Sequence, residues 1–334
     1  MNAYSVVANR LVWFLPTLLG LLAVVFVLAR IVPSDPAVLA AGENASAEQV
    51  QETRDRLGFD RPLLEQFVEY LREVARGDLG TSVYTQQPII RDLAERLPAT
   101  LELTFVGVLA AALIGVPLGV LSALHRNSWL DHMLRLASVL LIGVAPFWIA
   151  MQLQMLFSMQ LGWLPLSGRI DDVAPEAVTS LITIDALLAG DLQLFLSALR
   201  HLVLPALTLA LPGGAVVMRF TRTAVLDAVT SPSVAYQTAM GLPRRVIVWK
   251  YILRSALTST VTQLGLVFGI SITGAVVIEA VFEWPGLGTY AARSILHSDY
   301  NAVMGVTLCA GIVFAISNLL VDLLQMVIDP RGVK

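Results

Sequence analysis

Within the long apolar runs of this chain lie a few residues able to pair, bind or move a proton. They are the carboxylates Glu102, Glu279 and Asp322, and the neutral hydrogen-bonding residues Gln152, Gln154, Gln263, Ser271 and Thr273. Ionisable groups at membrane depth are costly, so each marks a pathway, a relay or a structural pair. Amides and hydroxyls act more mildly, offering donors and acceptors to whatever passes. A catalytic set does not assemble from these types. Asp322 stands alone, and His125, His132, His201 and His297 fall at the ends of apolar runs or in loops. Neither HExxH nor GxSxG occurs, which removes the commonest zinc-protease and serine-hydrolase chemistries. The single cysteine, Cys309, builds no disulfide or thiolate metal site and reads as a small core residue. A phosphate-cradling loop needs Gly-Lys followed by Ser or Thr. Neither lysine provides it, since Lys250 precedes Tyr251 and the other is Lys334. If ATP drives this protein, the nucleotide binds another chain.

The elements that carry these residues are membrane spans. The chain of 334 residues is 56% hydrophobic and only 14% charged, with a mean hydropathy of +0.74, whereas charged residues make up about a quarter of a soluble domain. Apolar runs at residues 11–32, 99–124, 134–161, 201–220, 258–282 and 302–328 each reach the ~20 residues needed to cross a bilayer. The expected fold is therefore an all-α membrane protein of six transmembrane helices. Its expected division is residues 1–32, the N-terminus and first span; residues 33–98, an extracellular helical loop domain; and residues 99–334, a transmembrane core.

Basic residues set the orientation. Arg10, Arg126, Arg135, Arg219, Arg222, Arg244, Arg245, Lys250, Arg254, Arg331 and Lys334 fall on one side in short segments, against Arg169, Arg200 and Arg293 on the other. By the positive-inside rule both termini are expected in the cytoplasm. Outside, Ser46 and Gln49 form a capping box. Asp60 caps a helix whose Leu64, Phe67, Val68, Leu71 and Val74 recur at helical spacing up to Gly77. Residues 88–97 suit a helix lying in the interface, residues 162–199 form an acidic loop, and residues 283–300 form a tight turn with Trp284 at the interface. Inside, residues 227–257 stand out as a basic, interrupted amphipathic segment. Two helical pieces are parted by Gly241, Leu242 and Pro243, and Arg244, Arg245, Lys250 and Arg254 follow.

Several stretches together resemble the permease subunits of bacterial ABC importers for dipeptides, oligopeptides and nickel. They are residues 76–82 (RGDLGTS), 95–103 (ERLPATLEL), 161–165 (LGWLP), 201–212, 284–288 (WPGLG) and 329–331 (DPR), in family order. The resemblance implies a type I importer permease fold, with residues 221–257 as the ATPase-docking loop. Gly241 matches that loop's glycine. Ala235, Tyr236 and Gln237 stand where the family's Glu-Ala-Ala stands, and Arg254 replaces a proline. The implied coupling residues are Ala235, Tyr236, Gln237, Gly241, Leu242, Pro243, Arg244 and Arg245. The implied partners are a homologous second permease, two ABC ATPase subunits carrying ATP and Mg, an extracytoplasmic peptide-binding protein or lipoprotein, and the lipid bilayer. No nucleic acid and no cofactor in this chain are expected. The translocation path is expected to use Gln263, Ser271, Thr273, Glu279 and Gln152, with Glu279 or Glu102 meeting a peptide amino terminus at the outer mouth. Arg76, Asp78, Thr81, Tyr84, Trp163 and Trp284 are expected to form the binding-protein platform. Nickel, glutathione or another small solute is an alternative cargo. A self-sufficient secondary transporter is the alternative class, but the acids deep in the spans and the inverted repeat that it calls for are not visible in the sequence.

Overall fold

The computed structural model describes residues 3–31, 46–49, 51–52, 62–171 and 178–328. Asp60 and residues 329–331 lie outside them, and nothing is described of the Asp322 side chain. Eleven labelled helices suffice to describe the architecture: α1 (Ala3–Ile31), α2 (Leu63–Ala75), α3 (Ile89–Leu124), α4 (Trp129–Gly143), α5 (Pro146–Leu153), α6 (Ile182–Leu188), α7 (Leu192–Val229), α8 (Pro232–Ala239), α9 (Leu253–Phe282), α10 (Leu287–Leu296) and α11 (Tyr300–Ile328). A π-helical stretch, Gln154–Gln160, continues α5. A short turn, Arg244–Val246, and a second π-helical stretch, Ile247–Ile252, lead into α9.

α3, α7, most of α9 and most of α11 are long and apolar enough to cross a membrane, and the bent pair of α4 with α5 and its continuation to Gln160 counts as a fifth when taken as one broken span rather than a re-entrant loop. With α1, whose apolar stretch is Phe14–Leu28, the count is consistent with six. Four sequence expectations change. Residues 162–199 are not loop throughout, since α6 and the first two turns of α7 fall within them. Residues 134–161 are not one straight helix: the chain bends by 104° between α4 and α5. Ala145 is extended there (φ −63°, ψ 132°) because the following Pro146 disfavours a helical conformation at the residue before it. Residues 88–97 are no separate interfacial helix but the first turns of α3, with Ile89 and Leu93 buried. Residues 283–300 hold the ten-residue helix α10 rather than a turn alone.

In lipid, apolar surface gains little by leaving the solvent, so close packing and polar bonds must join the helices. α3 and α7 meet where Gly115 lies against Gly214. A Cβ on Gly115 would stand 2.5 Å from the Gly214 carbonyl oxygen. Three apolar clusters follow. One apical cluster joins Ala99, Leu103, Leu202, Phe282 and Trp284. A second joins Ile89, Leu93, Leu287, Tyr290 and Val306. At the opposite, basal end, Val120, Ala123, Val225, Ile247, Val248 and Ala256 pack together. α1 docks on α11, where Gly311 meets Leu18 and Leu21, and on α2, where Phe26 meets Phe67 at 5.2 Å between ring centroids. The reciprocal capping box forms as expected: Ser46 N–H donates to Gln49 Oε1 at 2.8 Å and Gln49 N–H to Ser46 Oγ at 3.3 Å.

Candidate functional site

At the basal end the chain leaves α7 and turns through Ser231, whose hydroxyl accepts from Val234 N–H and starts α8 at Pro232. This is an ordinary Ser cap with proline in the first helical position. α8 is short and closes at Gly241, which takes φ +75° and faces open space. Only glycine adopts that backbone freely, so a helix can end there and reverse. Pro243 (φ −64°, ψ 139°) then caps the turn Arg244–Val246. Val234 and Leu242 reach down to the basal cluster, while Tyr236 (67% exposed) and Met240 face outward. Ala235, Arg244 and Arg245 are exposed, and Gln237 is half-buried with its amide 3.2 Å from Ser233 Oγ. The loop is thus a small exposed shelf glued to the helix ends by its own apolar underside.

From Arg244 the chain stays helical to Phe282, through the π-helical stretch and α9. That run measures roughly 55 Å at about 1.5 Å per residue. Its upper end is a hub. Glu279 is fully buried; its Oε1 accepts from Thr100 Oγ1 at 2.6 Å, and its Oε2 from Gly288 N–H at 2.7 Å and Thr289 N–H at 3.1 Å. Gln154 donates to Val281 O, and Gly168 N–H to Phe282 O. Glu283 takes a left-handed conformation (φ 52°), and Trp284, 1% exposed, donates its indole N–H to Ala99 O at 2.9 Å. Two expected roles are therefore corrected. Glu279 presents nothing to an open mouth, because three donors fill its oxygens. Trp284 offers no docking surface, because it lies inside the apical core.

The remaining apical residues divide. Glu102 is buried, pairs with Arg169 and accepts from Thr183 N–H at 3.0 Å, so it too is a structural acid rather than a peptide ligand. Arg169 also lies over the Trp284 ring at 5.4 Å. The segment 77–88 is a tight hairpin, with Thr81 bridged to Pro88 and Ser82 N–H bonded to Gln87 O. Asp299 clamps it, taking Ser82 Oγ at 2.5 Å and Tyr84 N–H at 3.2 Å. Arg76, Asp78 and Thr81 are exposed and Tyr84 is half-buried. Trp163, 67% exposed, stands on the loop that follows the π-helical stretch Gln154–Gln160. Asp185 shows how these loops are held. Burial opposes its charge, yet the Thr179 hydroxyl and N–H, with backbone N–H groups of Ser180 and Val178, keep the carboxyl below its usual range.

The middle of α9 is two-faced. Gly265 and Gly269 are packing contacts, since a Cβ would stand 2.1 Å from Val321 and 2.5 Å from Phe314. Ser271 is buried at 8% exposure. Leu266, Ile270, Thr273, Gly274 and Val277 form one exposed stripe at helical spacing. Gln263 and Gln152 are half-buried. Among the described residues no cluster of three His, Cys, Asp or Glu side chains is able to hold a metal ion.

Residues 115–333 match the family described as binding-protein-dependent transport system inner membrane component, and residues 4–104 match its N-terminal counterpart. The chain belongs to this family of transport permeases. Among its relatives, a probable D,D-dipeptide transport system permease of Escherichia coli (strain K12) is 41% identical over 333 residues, covering 99% of this chain and 98% of the relative. A di/tripeptide transport system permease of Pseudomonas aeruginosa (strain UCBPP-PA14) is 37% identical over 332 residues, covering 98% of each. A glutathione transport system permease of Pectobacterium atrosepticum is 35% identical over 322 residues, covering 96% of each. The permease is thus a multi-pass inner-membrane transport subunit rather than a catalyst. The sequence had no signal for its buried polar ties, Thr100, Asp92, Asp131 and Asp299, because single hydroxyls and acids carry no spacing that names their partners.

Proposed function

We propose that this permease forms, with a second homologous permease, the path by which an ATP-driven importer moves di- or oligopeptides delivered by an extracytoplasmic binding protein. The observation that carries the reading is the exposed shelf of α8 and Gly241, backed by an apolar underside and followed, after the break at residues 240–243, by one helical run from Arg244 to the apical hub. Such a shelf suits a soluble motor. The motor is a pair of ABC ATPase subunits holding ATP and Mg, and Ala235, Tyr236, Gln237, Gly241, Leu242, Pro243, Arg244 and Arg245 form the contact region. The distribution of basic residues supports a cytoplasmic location for this shelf and for both termini. The exposed stripe of α9 centred on Thr273, with Gln263 and Gln152 nearby, faces the path or the second permease. Arg76, Asp78, Thr81, Tyr84 and Trp163 receive the binding protein.

The names of the relatives favour peptide cargo, and glutathione, itself a tripeptide, shares that chemistry. The test is transport and ATP hydrolysis by the complex reconstituted in liposomes, with binding proteins loaded with dipeptide, oligopeptide, glutathione or nickel chelate. Stimulation by peptide is expected. Stimulation by nickel chelate alone would remove the peptide reading, and ATP-independent uptake by this chain alone would remove the subunit reading.

A further inference from the structure

Thr100 and Glu279 sit on different spans yet share one buried joint. The Thr100 hydroxyl donates to Glu279 Oε1 at 2.6 Å and accepts from Leu287 N–H at 2.8 Å. Glu279 in turn holds Gly288 and Thr289 by their backbone N–H groups. Together the two side chains satisfy the N–H groups of the first turn of α10, which a helix cannot satisfy itself. Space is closed around them. A Cβ on Gly286 would stand 2.3 Å from Glu279 Oε1, and one on Gly288 only 2.3 Å from Val276 Cα. α10 therefore has one seat on α9 and no room to slide.

What α10 holds in that seat is the apical platform. Tyr290 donates its hydroxyl to Asp92 at 2.9 Å, and Asp92 also takes Thr85 Oγ1 at 2.5 Å. Arg293 reaches the Tyr84 hydroxyl at 3.3 Å, and the Tyr84 ring lies 4.4 Å from that of His297. Hairpin 77–88 is thus tied to α10 from two sides, and α10 is tied to α9 by the joint. α9 continues helically down to Arg244, and the basal shelf packs on that run through Val234 and Leu242, which meet the cluster of Ile247, Val248 and Ile252.

We propose that Thr100 and Glu279 are positioning residues that couple the platform to the shelf. The joint makes α10 move with α9, so that a protein seated on hairpin 77–88 and a motor seated on α8 bias the same rigid body. This rests on the functional reading above and adds the residues through which its two docking events communicate. A coupling of this kind is a free energy between distant sites, commonly worth about 5- to 150-fold. The joint contacts neither partner, so its loss should separate coupling from assembly.

The experiment uses the full complex in nanodiscs, with ATP hydrolysis measured with and without loaded binding protein. Thr100→Val removes the hydroxyl and keeps the shape; Thr100→Ser restores it; Glu279→Gln keeps an acceptor for α10 but leaves the Thr100 hydroxyl proton without a carboxylate. The expected result is that Thr100→Val and Glu279→Gln assemble, hydrolyse ATP at the unstimulated rate, and lose about tenfold of the stimulation, within the range expected for site-to-site coupling. Thr100→Ser should keep it. Wild-type stimulation in both Thr100→Val and Glu279→Gln overturns the proposal. So does parallel loss of assembly and unstimulated hydrolysis in both, which would make the joint a fold-stabilising contact only. An unsubstituted complex that responds to no loaded binding protein overturns the functional reading and this inference with it.

Discussion

Arg222 places its guanidinium across both oxygens of Asp131, with Nε 2.8 Å from Oδ1 and Nη2 2.9 Å from Oδ2. Asp131 is fully buried and also accepts from Ser122 Oγ at 2.6 Å and Asn127 N–H at 3.0 Å. One carboxylate therefore joins the end of α3, the start of α4 and the basal half of α7, just above the shelf. Removing one partner of a buried pair strands the other. Arg222→Ala should destabilise the permease by about 3–5 kcal/mol. Replacing both partners by apolar residues of similar volume should cost less, although Ser122 and Asn127 then lose an acceptor. Thermal unfolding in detergent measures the difference, and equal costs for the single and double variants would contradict the pairing.

The shelf depends on Gly241. At φ +75° a β-branched side chain is strained, whereas Asn tolerates the conformation. Gly241→Val should leave membrane insertion intact and reduce copurification with the ATPase, while Gly241→Asn retains most of it. Reversing Arg244 and Arg245 to Glu tests the charges separately. Undiminished copurification in all three variants would show that the motor docks elsewhere.

Two tryptophans expected to do one job should separate. Trp284→Ala empties a buried apical site and should cost about 3–5 kcal/mol of stability. Trp284→Phe, which loses chiefly the bond to Ala99 O, should cost about 1 kcal/mol. Trp163→Ala, at an exposed position, should leave the unfolding temperature unchanged and act, if anywhere, on binding-protein affinity.

On α9, Gly265 and Gly274 give opposite forecasts. Gly265→Ala drives a Cβ into Val321 and should destabilise the α9–α11 contact, whereas Gly274 has no atom within 4 Å of its would-be Cβ. Gly274→Leu should therefore leave the isolated chain folded. If the stripe faces the path or the second permease, the same variant lowers transport or assembly. Normal activity would assign the stripe to lipid.

The carboxyl of Asp185 is held below its ordinary value, so it contributes stability above its unfolded value of about 3.9, and that contribution is lost as pH falls through the lower folded value. Asp185→Asn should reduce stability at pH 7, and the deficit should shrink progressively below about pH 4. A deficit independent of pH would mean that the carboxylate charge is not what binds Thr179.

Much of the architecture was legible because bilayer physics leaves few choices. Long apolar runs with almost no charge become spanning helices. A serine three residues before a glutamine caps a helix at Ser46. Glycines at 77 and 241 end helices because their backbone tolerates positive φ. Residues 227–257 likewise stood out as a basic interruption with a glycine break. Helix boundaries were less legible: residues 88–97 are amphipathic because one side packs on α10 and α11, a partnership that periodicity cannot distinguish from an interface.

The sequence by itself determined that this chain lives in the membrane, cannot hold ATP in a phosphate loop, and presents a basic shelf between apolar spans, since each follows from residue type and local spacing. Only the tertiary structure decided what the acids do. Glu102, Glu279 and Asp131 look alike in the sequence as ionisable groups near span ends, and each is a structural tie. Their partners Arg169, Thr100 and Arg222 lie 67, 179 and 91 residues away. A buried carboxylate is defined by the donors that surround it, and those donors meet only when the helices pack.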